Sequence, residues 1–404
     1  MSNPTPTGAV RRRSLDIALR HAWENEVFTA SDVMSVAGLT RSTTIDVIDE
    51  LVELGVLREL PNARAGGDYR KGRPARRFAL RTGEMVVVGT DAGRAHLTTV
   101  VADLRGGELT REHVILDPEH DSVDERRAAV TSAVDAALRT AGRSRKDVLS
   151  ICIGVPAPVD RAGMSPPHRA EFWRRMNPDL AALFGEWVPL VRVENDASLA
   201  AVAEGTVGAA VGCRDYVTLL AGERLGAGVV VDGVLLRGRH GGVGEMVAFD
   251  HVIGVEGAWG LGSRAAQWAR EAVAAGEVSE GSPLATVPVA ELDGRTVLEA
   301  ARRGDPDAER VMHRVGAMLG VVTGILGSLF DPARVVVSGS IADGAAELIG
   351  AARAALPREL DLPAPELVAS RLGGDVVSIG AVSAALEAAR DGMLDLACGT
   401  RRVG

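Results

Sequence analysis

Residues 85–93, Met85-Val86-Val87-Val88-Gly89-Thr90-Asp91-Ala92-Gly93, pass from an unbroken apolar run into an acidic residue and a glycine turn. Without polar alternation, such a run reads as a strand covered on both faces. Leu97 to Ala102 reads as a second strand, and a third follows Gly106-Gly107. A helix from Val123 to Ala141 then leads to Ser150-Ile151-Cys152-Ile153-Gly154-Val155-Pro156, the parallel strand expected of an α/β unit. The pattern returns at Tyr216-Val217-Thr218-Leu219-Leu220-Ala221-Gly222, where a buried strand again meets a glycine loop, Gly226-Ala227-Gly228. Val229 to Leu236 holds Asp232-Gly233 between apolar runs, the composition of a tight hairpin. Two lobes that each open strand, Gly-rich turn, strand imply a duplicated fold with a cleft between them. The stretch Val311 to Leu329 mixes Gly and Ala with its apolar residues and reads as a buried helix rather than a membrane span.

Upstream of this body the pattern changes. Leu15, Ile17, Ala18, Leu19 and Ala22 recur at helical spacing between Ser14 and Trp23. Thr29-Ala30-Ser31-Asp32 has the form of a capping box for a second helix that ends at Ala37-Gly38-Leu39. Thr40 caps a third helix running to Leu54, with Thr44, Val47, Ile48 and Leu51 as its buried stripe. Two short helices joined by a Gly-containing turn set the later one in a DNA major groove, with Arg41, Ser42 and Thr43 at its leading end. Val56 to Leu60 and Arg77 to Arg81 read as the strands of a wing. Its loop carries Lys71, Arg73 and Arg76 on a slim Gly- and Pro-containing backbone suited to a narrow minor groove. Asp46 and Asp49 on the third helix count against this reading, since a carboxylate near phosphate is costly.

Charge distribution agrees with a basic reader on an acidic body. The 404 residues carry a net charge of −9, yet residues 1–81 hold 13 Arg or Lys against 10 Asp or Glu. That balance of +3 leaves −12 on the remaining 323 residues, and residues 57–81 alone set eight cations against two anions. A hydrophobic fraction of 46% with 25% charged residues is that of a folded soluble protein of two or three domains. Cys152, Cys213 and Cys398 form no CxxC pattern, which argues against disulfides and zinc alike. The start, with Arg11-Arg12-Arg13, lacks the apolar core of a secretory signal, so a cytoplasmic location is expected.

In order and spacing, five segments resemble the ROK family, named for repressors, open reading frames and sugar kinases, whose fold is that of the actin-like ATPases. They are Gly89-Thr90-Asp91-Ala92-Gly93, Gly154-Val155-Pro156-Ala157-Pro158-Val159-Asp160, Glu194-Asn195-Asp196-Ala197, Gly241-Gly242-Val243-Gly244-Glu245 and Asp331-Pro332-Ala333-Arg334-Val335-Val336-Val337-Ser338-Gly339. The resemblance runs from about Ser14 to about Ala389. It implies that Asp196 matches the general base of the kinases, which deprotonates a sugar hydroxyl, and that Asn195 and Glu245 match sugar ligands.

The chain departs from the kinases where phosphate and metal are handled. Arg94-Ala95-His96 stands where kinases carry Gly-Thr-Lys, so the hydroxyl and ammonium that meet phosphate are lost. Ala248 replaces the zinc-binding histidine, while Gly254, Glu256 and Leu261 occupy the cysteine positions and Ser263 that of the terminal glutamate. His251 reads as an ordinary histidine rather than a substitute ligand. No zinc is expected, ATP is not expected as a cofactor, and the loop that a metal would brace is expected to be loose.

The fold expected is therefore α/β, an N-terminal winged helix-turn-helix followed by a two-lobed actin-like ATPase fold of the ROK sugar-kinase type. The divisions are residues 1–82 for the winged domain, 83–200 with 376–390 for lobe 1, 201–375 for lobe 2, and a tail at 391–404. The leading functional expectation is a transcriptional regulator, of repressor type, of carbohydrate genes. It would bind double-stranded operator DNA as a homodimer or dimer of dimers, with Asn195, Asp196 and Glu245 as the remnant of a cleft for a sugar or phosphosugar. An ATP-dependent sugar kinase with Asp196 catalytic and a DNA-binding head is the alternative; a third reading has the large domain only oligomerising. No membrane partner is expected.

Overall fold

The computed structural model describes residues 6–61, 75–83, 85–117, 122–168, 171–339, 345–356 and 363–401. The head comprises α1 (Pro6–Glu24), β1 (Phe28–Thr29), α2 (Ala30–Ala37), α3 (Arg41–Glu53), β2 (Leu57–Leu60) and β3 (Arg77–Leu80). Leu19, Phe28, Val33, Ile48, Leu51 and Phe78 are almost fully buried between the three helices and a β1-β3-β2 sheet. The capping box forms as read: the Asp32 carboxylate accepts from the Thr29 amide at 2.7 Å and from its hydroxyl at 2.8 Å. Gly38 ends α2 at φ 62°, the left-handed conformation that glycine adopts without a Cβ clash.

Lobe 1 continues with β4 (Val86–Ala92), β5 (His96–Asp103), β6 (Glu108–Ile115), α4 (Val123–Thr140), β7 (Val148–Val155), α5 (Phe172–Met176), α6 (Leu180–Gly185), β8 (Leu190–Asn195) and α7 (Asp196–Thr206). Lobe 2 contains β9 (Tyr216–Ala221), β10 (Leu225–Val231), β11 (Val234–Leu235), α8 (Leu261–Ala274), α9 (Pro283–Thr286), α10 (Gly294–Arg302), α11 (Pro306–Phe330), β12 (Arg334–Ser338), α12 (Ala345–Ala355) and β13 (Glu366–Ala369). Helix α13 (Val376–Arg401) closes the chain. The sheet orders β6-β5-β4-β7-β8 and β11-β10-β9-β12-β13 are the same arrangement twice. In each, three antiparallel strands are extended by two parallel ones. The duplication inferred from the two strand-and-glycine openings is thus a property of the whole lobe. The Asp232-Gly233 turn has φ of 53° and 77°, both positive as a two-residue hairpin of this hand requires. Helix α11, long and apolar enough to span a membrane by composition, packs against α8, α10 and α12 as a core helix.

Helices α7 and α13 cross between the lobes at backbone contact. A Cβ placed on Gly380 of α13 would lie 2.0 Å from the Leu199 carbonyl of α7, and one on Gly228 of β10 would lie 2.3 Å from the Ala197 carbonyl. Two expected boundaries are corrected here. Helix α7 runs through the division drawn at 200/201, so lobe 1 ends near Thr206. Asn195 caps α7, accepting from the Ser198 amide at 3.0 Å. Residues 391–401 continue α13 instead of forming a tail. They stay helical because they have something to bury: Met393 and Leu394 join the apolar cluster that contains Trp23 of α1, and Arg12 meets Asp395 at 2.6 Å. Arg105, from the turn after β5, completes this junction by donating to the carbonyls of Ala22, Trp23 and Asn25 at the end of α1.

Candidate functional site

The cleft is built at the carboxyl ends of β4 and β8 and the facing glycine loops of lobe 2. Asp91, at the end of β4 and 6% exposed, meets His96 across the turn at 3.1 Å. This carboxylate raises the imidazole pKa against the opposing effect of burial. The His96 ring lies over Gly93, so close that a Cβ there would stand 2.5 Å from it. Behind the turn, Arg126 is buried and donates to the Ala92 and Gly93 carbonyls, at 2.8 Å to the latter. The loop that meets phosphate in the kinases is therefore packed with an imidazole and fixed from beneath by a guanidinium.

Asn195 uses each end of its amide once internally, donating to the Ala157 carbonyl at 3.2 Å while capping α7, which leaves one N–H and one lone pair for a ligand. Asp196 accepts from the Ala197 amide at 2.7 Å. Burial, with the charges of Asp91 and Glu245 adding to it, pushes its pKa up to about 7. Burial likewise raises Glu245, opposed by Arg224. Glu245 is bridged to Gly226 of β10, and Gly226 packs against Ala197, so the three residues read from sequence as sugar ligands share one cleft. Across its mouth, Arg94 of lobe 1 reaches Glu223 of lobe 2 at 3.0 Å. Sequence reading did not find this pair, because its members lie 129 residues apart and no local pattern joins them.

On the head, Arg41 and Ser42 are exposed at the start of α3, while the Thr43 hydroxyl is drawn into the cap, 2.9 Å from that of Thr40. Arg41 makes no ion pair among the described residues. Arg76 sits otherwise than a free wing cation: it pairs with Asp49 at 2.9 Å and Glu59 at 2.8 Å and lies 5.0 Å from the Phe78 ring centroid. It thereby joins the base of the wing to α3 and neutralises the Asp49 charge that counted against a DNA face. Lys71 and Arg73 lie outside the described residues. As for metal, Ala248, Gly254, Leu261 and Ser263 offer no ligand suited to zinc, and Glu256 alone cannot make a tetrahedral site. Among the described residues no cluster of three or more His, Cys, Asp or Glu could hold an ion.

A twice-repeated five-stranded lobe, an Asn-Asp pair facing a Gly-Glu loop, and a winged-helix head define a sugar-kinase-type body carrying a nucleic-acid reader's fold. Residues 87–388 match the ROK family, and the chain belongs to it. Among its relatives, the DNA-binding transcriptional dual regulator NagC of Escherichia coli K12 is 26% identical over 317 residues, covering 76% of this chain and 75% of NagC. A glucokinase of Streptomyces coelicolor is 26% identical over 330 residues, covering 75% of this chain and 98% of the kinase. Among solved structures, a ROK family transcriptional regulator, homolog of the E. coli MLC protein, superposes with a TM-score of 0.74 at 24% identity, covering 96% of this chain and 98% of that one. A Streptomyces griseus ROK glucokinase in complex with glucose and AMPPNP gives 0.62 at 25% identity, covering 75% and 99%. The regulator's fold thus extends over the head, where the kinases stop.

Proposed function

We propose that the chain is a DNA-binding transcriptional regulator, of repressor type, of carbohydrate genes, in which the kinase-derived body senses a ligand and holds two heads on a palindromic operator. One observation carries this: a winged-helix head is packed against a sugar-kinase body whose phosphate loop has been rebuilt with Arg94 and His96. The names of the NagC relatives and the full-length likeness to a ROK regulator support the same reading. Arg41 and Ser42, with Lys71 and Arg73 of the wing, contact DNA, whereas Arg76 supports the wing from within. The body binds a sugar through Asn195, Asp196 and Glu245 without nucleotide or zinc. A sugar that draws the lobes together tilts α13, and α13 carries that change to the head; the ligand acts only as far as its affinity differs between the two states. The body pairs two chains, since one head reads only a half-site.

Genomic fragments retained by the full-length protein should share a palindromic site bound at least roughly a thousandfold more tightly than random DNA. Titration with glucose, N-acetylglucosamine and their 6-phosphates should then shift operator affinity for one of them. Equal binding to all sequences refutes the reader; an unmoved operator curve across a broad panel refutes the sensor. A second reading, a sugar kinase retaining a head, is favoured by one feature, the Asp196 carboxyl poised near neutrality. It requires ATP-dependent phosphorylation of a hexose that disappears in Asp196→Asn.

A further inference from the structure

The stretch that holds zinc in the kinases has no metal ligand set here, yet it is not slack. Gly254 has φ 82°, Glu256 φ 51° and Gly257 φ 122°, a run of left-handed backbone that a non-glycine residue keeps only when held there. What holds it is Arg264, in the first turn of α8. This side chain is 2% exposed, among the most deeply buried in the protein. Its guanidinium donates to the Val255 carbonyl, to the Glu256 carbonyl at 3.0 Å and to the Gln267 amide oxygen at 3.1 Å. The Trp268 ring lies 5.2 Å from it, and Arg314 of α11 stacks at 3.9 Å on that ring. Glu256 therefore owes its conformation to a cation on its own carbonyl.

The segment so fixed is tied in turn to the sugar cleft. The Gly260 amide donates to the Glu223 carbonyl and the Leu225 amide to the Ala258 carbonyl, both at 3.0 Å. These bonds lock it to the strand whose Gly226 bridges Glu245. We infer that Arg264 is a positioning residue that replaces the missing metal: its Nη2 donates to two successive carbonyls while its Nη1 is anchored on the Gln267 side chain of the same helix, and this sets the loop against which Glu245 is placed. A guanidinium suits this task because it is always charged and carries two terminal nitrogens in one plane, so one can be anchored on Gln267 while the other is held on the carbonyls, which a single ammonium nitrogen does not allow. The expectation of a loose loop after loss of zinc is corrected accordingly. The part of the inference that concerns ligand affinity rests on the sugar-binding reading proposed above.

The test uses full-length protein, with Arg264→Met and Arg264→Lys beside the wild type and hydrogen exchange measured across residues 246–261. Amides of Val255, Glu256, Gly257 and Gly260 should exchange at least roughly tenfold faster in both variants, while residues 28–53 of the head stay unchanged. Wild-type exchange in a folded variant overturns the clamp. Should the Met variant not fold, the Lys variant decides, since it keeps the charge and loses the fork. EDTA should leave wild-type exchange untouched, and the purified protein should hold no stoichiometric zinc after incubation with it; a tightly held ion, or a loop loosened by EDTA, overturns the replacement. By calorimetry, a sugar bound by the wild type should bind the Lys variant roughly tenfold more weakly while sugar-free operator affinity is preserved; equal sugar affinity would refute the link to Glu245. A wild type that binds no sugar would instead remove the functional reading above, with the exchange and EDTA experiments still deciding the clamp.

Discussion

Arg105→Ala should separate the head from the body without touching the DNA face. The guanidinium caps α1, donating to the Ala22 and Asn25 carbonyls at 3.0 Å each and to Trp23 between them. These are end-of-helix carbonyls, where a cation also meets the negative end of the helix dipole. Buried charged hydrogen bonds would contribute several kcal/mol together, but Arg105 is exposed, so about 0.5 kcal/mol each, or ~1.5 kcal/mol in all, is the better figure. For a domain as small as the head, ~1.5 kcal/mol corresponds to a fall of roughly 6–12 °C in its unfolding midpoint. Calorimetry of the full-length variant should show the head transition moving down while that of the body stays. Operator affinity at low temperature should be retained, and the response of that affinity to sugar should shrink. An unmoved head transition together with an intact sugar response would show that Arg105 is a bystander and that the junction depends on α13 alone.

Other perturbations test separate parts of the argument. Gly380→Ala places a methyl group 2.0 Å from a backbone carbonyl, which cannot swing aside, so a loss of about 3 kcal/mol is expected in denaturant titration. Arg41→Ala should weaken operator binding and reduce the magnitude of the log-log salt slope by about 1; an unaltered slope would remove this residue from the DNA face. Asp196 carries a folded-state pKa of about 7, raised from the ordinary carboxyl value, so the folded protein binds the extra proton between the two. Its contribution to stability is therefore full below about pH 4 and is lost as the pH rises to about 7. Asp196→Asn should raise the melting temperature at pH 8, by the equivalent of about 1–3 kcal/mol, and lose that advantage near pH 4; the same gain at both pH values would refute the assigned cause.

Where sequence alone sufficed, the signal was local. The apolar runs of β4, β7 and β9, the Asp-Gly hairpin, and the Thr29 and Thr40 caps each lie within one element, and the structure places them as read. What escaped depends on partners far along the chain. Strand β1 is two residues long, too short for any period, and exists because Phe28 pairs with Phe78. Helix α1 begins at Pro6 rather than Ser14: Arg11-Arg12-Arg13 carries no apolar stripe, but Arg11 meets Glu50 and Arg12 meets Asp395. Arg390-Asp391-Gly392 looks like a helix stop, and α13 passes through it because Trp23 awaits two turns of it. The site divided in the same way. Asn195, Asp196 and Glu245 were legible as a motif, whereas the pairing of Arg94 with Glu223 and the clamp by Arg264 depend on which charge faces which, and composition does not record that. Arg76 makes the same point from the other side, since a cation in a basic loop reads as a DNA contact, and its pairing with Asp49 and Glu59 is not recorded in the local sequence.

The unbroken course of α13 makes it a lever arm. Its first turns rest on α7 at the fulcrum between the lobes, with Gly380 against Leu199, and Met393 and Leu394 lie some 13 residues further on, about 20 Å away at the helical rise. Over that span a tilt of about 5° at the fulcrum sweeps the tip by roughly 2 Å, enough to unseat a side chain packed against Trp23. A motion too slight to notice around a bound hexose would thus reach the reading head enlarged, and with a direction set by a single rod.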